Sequence, residues 1–133
     1  MRVPTSAAQN RLWFLDQLNG PNAAYNVPFV LRLRGALGEA ALWGALDDLV
    51  ARHEVLRTTF EVVDDEVYQV IGEPRPLPHE VLDLRALPAA ERDPAVDDAV
   101  RSAAARPFRL DGEPLLRASL LRVADDDHHL VLN

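Results

Sequence analysis

Apolar residues along the chain fall into two rhythms, one helical and one alternating. From Ala7 to about Leu18, Ala8, Leu12, Leu15 and Leu18 recur at helical spacing, which predicts an amphipathic helix. Ser6 is placed to cap it, with Pro4 just outside, and Asn19-Gly20-Pro21-Asn22 stops it. From Tyr25 to Arg34 the pattern alternates: Val27, Phe29, Leu31 and Leu33 against Pro28, Val30, Arg32 and Arg34. That predicts a strand, and Pro28 puts it early or at an edge of its sheet. After a turn from Gly35 to Gly38, Glu39 to His53 is the clearest helix, with Leu42, Leu46, Leu49, Val50 and His53 on or beside one face. Thr58 to Val63 and Glu66 to Ile71 are β-rich and flank Asp64-Asp65, which predicts a hairpin.

Gly72 to Pro78 carries three prolines and reads as loop. Glu80 to Leu84 predicts a short strand. Pro88 through Ala105 is rich in alanine and charge and predicts a helix, with a break or restart at Pro94 and a stop at Pro107. Leu115 to Val123 and His128 to Asn133 predict two further strands around Asp125-Asp126-Asp127. This mixed order favours an α+β two-layer domain over a doubly wound parallel sheet. The last strand runs to the final residue with no turn or polar tail after it, which reads as a piece of a longer domain.

Composition narrows the function. With 133 residues, 48% of them apolar, the chain is long enough for one domain with a core. The formal net charge of −7 argues against nucleic acid or an anionic membrane as partner. No apolar run approaches the roughly 18 residues that span a bilayer, and the N-terminus lacks a signal-peptide core. The absence of cysteine removes disulfides, thiolate metal sites and thiol nucleophiles, and a cytoplasmic location fits it. All fourteen basic residues are arginine, so no lysine serves a Schiff base or a phosphate loop. A phosphate-binding glycine loop, a G-x-S-x-G elbow and an H-E-x-x-H helix are all missing.

Two stretches carry more specific information. Arg52-His53-Glu54-Val55-Leu56-Arg57-Thr58-Thr59-Phe60 joins a helix exit to a strand, and Ser6-Ala7-Ala8-Gln9-Asn10-Arg11-Leu12-Trp13-Phe14-Leu15 forms the first helix. Read alone, Arg52 and His53 are helix C-terminal caps favoured by the dipole, and Arg11 is a solvated arginine. Together the stretches resemble the first two core motifs of the condensation domains of nonribosomal peptide synthetases, roughly SxAQxRLWFL and RHExLRTxF. Gly20-Pro21-Asn22-Ala23-Ala24-Tyr25-Asn26-Val27-Pro28, Pro107-Phe108-Arg109-Leu110 and Pro114-Leu115-Leu116-Arg117-Ala118 extend the likeness over essentially the whole chain.

The resemblance implies an incomplete, chloramphenicol acetyltransferase-like α+β lobe, with residues 1–133 forming part of the N-terminal lobe and ending before the family's HHxxxDG motif. It implies amide-bond formation between aminoacyl or peptidyl thioesters, with the subtype joining an L-donor to an L-acceptor. The substrates ride on phosphopantetheine arms of upstream and downstream peptidyl carrier domains, so no cofactor and no metal is bound directly. An adjacent adenylation domain and the rest of the condensation domain are the other expected partners. Arg57, Arg11, Glu54 and His53 are the candidate active-site scaffold, with Arg11 expected to pin its helix to a neighbouring loop and Glu54 to pair with Arg57 or Arg11. Tyr25 is a candidate for lining the substrate tunnel. Three alternatives stay open: a related carrier-dependent epimerisation or ester-forming domain, a non-catalytic condensation-like module that recruits a partner, and a separately folding α+β protein whose motif matches are accidental.

His128-His129 is a decoy for the catalytic motif. In His128-His129-Leu130-Val131-Leu132-Asn133 an asparagine takes the position of the motif's aspartate. The pair follows a turn and opens a strand, whereas the family motif closes one. The chain therefore supplies no catalytic residue, and by itself it is expected to be inactive. The pair also lacks a third well-spaced ligand for a metal.

Overall fold

In the computed structural model, which describes residues Met1–Asn133, the chain order is β1 (Arg2–Pro4), α1 (Ala7–Asn19), β2 (Phe29–Arg34), α2 (Glu39–Arg52), a 3-10 turn (Glu54–Arg57), β3 (Thr58–Val63), β4 (Glu66–Ile71), β5 (His79–Asp83), α3 (Ala89–Ala105), β6 (Ala118–Ala124) and β7 (Asp127–Leu132). The strands form two sheets, ordered β1-β4-β3 and β2-β7-β6-β5. The fold is α+β, as the mixed order of elements predicts, and neither sheet closes on itself.

β6 and β7 hold the larger sheet together. They pair antiparallel at its centre, while β2 adds antiparallel to β7 and β5 adds parallel to β6. β6 lacks the clean alternation of a half-solvated strand because both of its faces are covered. Ala118 packs with Leu46 and Val50 of α2 and Leu130 of β7 on one face. Leu121 and Val123 pack with Val96 of α3 and Val131 of β7 on the other. Leu120, opposite Leu130, is fully buried.

The smaller sheet carries α1. The capping box reads Ser6 to Gln9 in both directions, and the Gln9 amide then donates to Gln69 Oε1 at 2.9 Å. Trp13, the one buried residue of α1, meets Phe60 of β3 at 6.1 Å between ring centroids. The β3–β4 hairpin turns on Asp64 and Asp65, both at positive φ, as a two-residue primed turn requires.

Several boundaries differ from the sequence reading. β2 starts at Phe29 rather than Tyr25, with Leu132 of β7 as its first ladder partner. β6 starts at Ala118 rather than Leu115, and β5 is shifted one residue towards the N-terminus. α3 runs unbroken across Pro94. The carbonyl that proline leaves without a helical partner belongs to exposed Ala90, where water reaches it. The short β1 is not legible in the sequence, since three residues carry no periodicity.

Charged pairs fasten the far end of the larger sheet. Arg122 of β6 forks onto Glu39 in the first turn of α2, at 2.5 and 2.7 Å. The hydrogen bond from Arg122 holds the Glu39 carboxyl below its ordinary range. Arg32 does the same for Asp127, and Arg85 for Asp83. Carboxyls depressed in the folded state contribute stability above about pH 4 and lose it as the pH falls further. Urea midpoints of the wild-type chain should therefore drop between about pH 6 and pH 3, and Glu39→Gln should flatten that drop. Leu120→Ala should cost roughly 2–5 kcal/mol at neutral pH, read from the same titrations.

Candidate functional site: an apolar cavity at the end of the central strand

β7 ends at the wall of a cavity of about 620 Å³. α1 contributes Leu12 and Leu15, α2 contributes Leu46 and Leu49, and the segment before β2 contributes Tyr25 and Val27. Phe108, Leu110, Leu115 and Leu116 from the loop between α3 and β6 form the opposite wall, and Leu132 and Asn133 complete it. Of its 19 lining residues, 14 are hydrophobic, so the space suits an apolar group better than a charged one. Asp16 is the one acid on it, and burial, reinforced by nearby Asp111, pushes its carboxyl up.

Two polar anchors fix the walls. Asn26 donates its side-chain amide to the carbonyls of Ala104 and Arg106 at 2.9 and 3.0 Å, which ties the segment before β2 to the end of α3. The Phe60 amide donates to Leu110 O at 2.9 Å, which ties the loop to β3. Tyr25 projects at the rim with 61% of its surface exposed, and Phe29 is equally exposed.

The stretch from Arg52 to Phe60 borders the cavity through Leu56. Arg57 donates from Nη1 to Gly72 O at 2.6 Å, and its Nη2 lies 3.6 Å from Glu54 Oε1. The Gly72 amide returns a bond to Arg57 O, and a Cβ at Gly72 would sit 3.4 Å from that oxygen. Thr58, buried, donates to Glu54 O at 2.8 Å and closes the 3-10 turn. Arg57 Nε is buried and has no hydrogen-bond partner. A guanidinium nitrogen left so is a costly donor, and a carboxylate is its best-matched acceptor.

The other candidates distribute differently. Of the two partners considered for Glu54, the structure pairs it with Arg57. His53 caps α2 through its backbone, whose N–H donates to Leu49 O, and its side chain is exposed. Arg11 is exposed and makes no side-chain hydrogen bond or ion pair, and α1 is seated on strands β4 and β3 by Gln9 and Trp13 rather than pinned to a loop by Arg11. His128 and His129 sit inside β7 on opposite faces, and Nδ1 of each is buried without a partner. No group of three or more potential metal ligands occurs. The sequence reading missed Asn26 and Arg117 as anchors, although both fall in stretches that carried the likeness.

A model of the condensation-domain family matches residues 1–133. The chain belongs to the condensation-domain family. It is 46% identical over 130 residues to chondramide synthase cmdD of Chondromyces crocatus, and 45% identical over 130 residues to phosphinothricin tripeptide synthetase PhsC of Streptomyces viridochromogenes. Each alignment covers 98% of this chain, but only 3% and 12% of those enzymes. The starter condensation domain of rhizomide synthetase RzmA superposes on 99% of the chain with a TM-score of 0.89 at 29% identity. The chain spans 32% of that solved domain, so it corresponds to part of the condensation-domain fold. No helix of the chain is long and apolar enough to cross a membrane.

Proposed function

We propose that the chain is part of the N-terminal lobe of a condensation domain that forms an amide bond between two carrier-bound thioesters. The observation that carries this reading is the pairing of an apolar cavity at the end of β7 with a buried, unpartnered Arg57 Nε. The cavity suits the side chain of an aminoacyl or peptidyl group. The free donor suits a carboxylate on the segment that brings in the catalytic histidine, here assigned to the family's HHxxxDG motif.

In the reaction, the acceptor amine attacks the carbonyl carbon of the donor thioester. The carbon–nitrogen bond forms, the carbon–sulfur bond breaks, and the electron pair leaves on sulfur. The proton lost by the amine ends on the departing thiol. Holding two tethered reactants together replaces a bimolecular encounter by a local one, and that is the larger share of the work. The scaffold residues Arg57 and Glu54 hold the approach to the reacting centre and do not touch the reacting atoms. Tyr25 belongs to the rim of the cavity, while His53 and Arg11 are exposed to solvent. Phosphopantetheine arms of upstream and downstream peptidyl carrier domains deliver both substrates, each an L-amino acid derivative, and an adenylation domain loads them.

A second reading concerns the donor alone. The RzmA domain has been solved with C8-CoA, at a TM-score of 0.87 and 29% identity to this chain. A cavity lined mostly by leucine and aromatic side chains suits a fatty acyl donor equally well.

The test is amide formation from two loaded carrier domains. A complete condensation domain that carries this chain should make product, and the 133-residue chain alone should make none. Arg57→Ala should lower the rate by about a hundredfold, as expected when a scaffold residue is lost and the reactants shift. His128→Leu should leave the rate unchanged. Product from the chain alone, or a rate that depends on His128 as strongly as on Arg57, would contradict the reading.

A further inference from the structure

Arg117 stands where the cavity wall meets the end of the central strand. Its backbone exchanges two hydrogen bonds with Asn133, each 2.9 Å, which extends the β6–β7 pairing to that residue. Its guanidinium turns the other way. Nη2 donates to Pro107 O at 2.7 Å and meets Glu113 Oε2 at 3.2 Å, and Nη1 donates to Arg106 O at 3.3 Å. The plane also stacks over Phe108, with its carbon 3.8 Å from the ring centroid. One side chain therefore grips both shoulders of the loop that supplies Phe108, Leu110, Leu115 and Leu116 to the cavity.

The Phe60–Leu110 bond ties the middle of that loop to β3, and Arg117 ties its shoulders to the larger sheet. On the far side of Arg117 lies a second, more polar space of about 390 Å³, lined by Arg106, Glu113, Arg117 and Asn133 among others. Asn133 borders both spaces, and its side-chain amide is held by a bond to Ala103 O at 2.9 Å. Arg117 thus positions the loop wall of the apolar cavity through its fork and through Phe108. A lysine could hold one carbonyl as a point charge, but it has neither the fork nor the flat face that this geometry uses.

We propose that Arg117 is a positioning residue that sets how large an acyl or aminoacyl side chain the cavity accepts, an inference that rests on the functional reading above. It acts on substrate binding through the loop and takes no part in the chemistry. A loss of this kind raises KM for the substrate that fills the cavity and spares kcat.

The experiment compares donor thioesters bearing leucyl and glycyl groups in a complete condensation domain that carries this chain. Arg117→Met keeps most of the side-chain length and loses the fork. It should raise KM for the leucyl donor about tenfold, while leaving KM for the glycyl donor and both kcat values within about twofold. Arg117→Lys should recover part of the difference. Glu113→Gln removes only the charged partner, so it tests the same loop should Arg117→Met fail to fold, and it should give a smaller shift in the same direction. A uniform fall in kcat with both donors, or an unchanged leucyl-to-glycyl ratio in both Arg117→Lys and Glu113→Gln, would overturn the assignment of Arg117. No product from the unaltered domain would overturn the functional reading itself.

Discussion

The pairing of β6 with β7 is the constraint on which the rest of the structure depends. Both strands are buried on two faces, by α2 on one side and α3 on the other, and both outer strands of the sheet hang on them. Leu120, Leu121 and Val131 exclude solvent almost completely. This pair fixes where Leu132 and Asn133 sit, and so which side chains surround them. The apolar cavity is the space left where α1, α2 and the loop after α3 converge on the strand's last residues.

The same geometry explains the division of labour between the two strongest sequence motifs. The first supplies Gln9 and Trp13, which seat α1 on the smaller sheet. The second supplies Phe60, which receives Trp13 and binds the loop backbone, and Arg57, which holds the bend at Gly72. The motifs lie far apart in sequence and are joined through one aromatic contact. Neither brings a nucleophile or a base to the cavity.

Much of this is legible in the residue pattern. Long amphipathic runs such as Glu39 to Arg52 and paired β-rich runs around Asp64-Asp65 announce themselves, because burial on one face imposes a period. Strand boundaries do not: Tyr25 and Leu115 continue an apolar pattern, yet β2 begins at Phe29 and β6 at Ala118. Pro94 does not break its helix, because the cost of a helical proline depends on whether water reaches the orphaned carbonyl, and exposure is invisible in sequence. Arg11 and Arg117 show the limit most clearly. Both lie in stretches that carry the family likeness, but one is exposed without a polar partner and the other ties together four groups. Only the fold distinguishes them.

The unpartnered Nε of Arg57 offers the most direct test of the scaffold role. Arginine-selective nitrogen-15 NMR would follow its N–H in the 133-residue chain and in a complete condensation domain carrying it. In the complete domain this proton should gain a carboxylate acceptor, shifting its resonance and slowing its exchange with solvent. The same shift and the same exchange rate in both proteins would contradict the claim that Arg57 holds the approach of the catalytic segment.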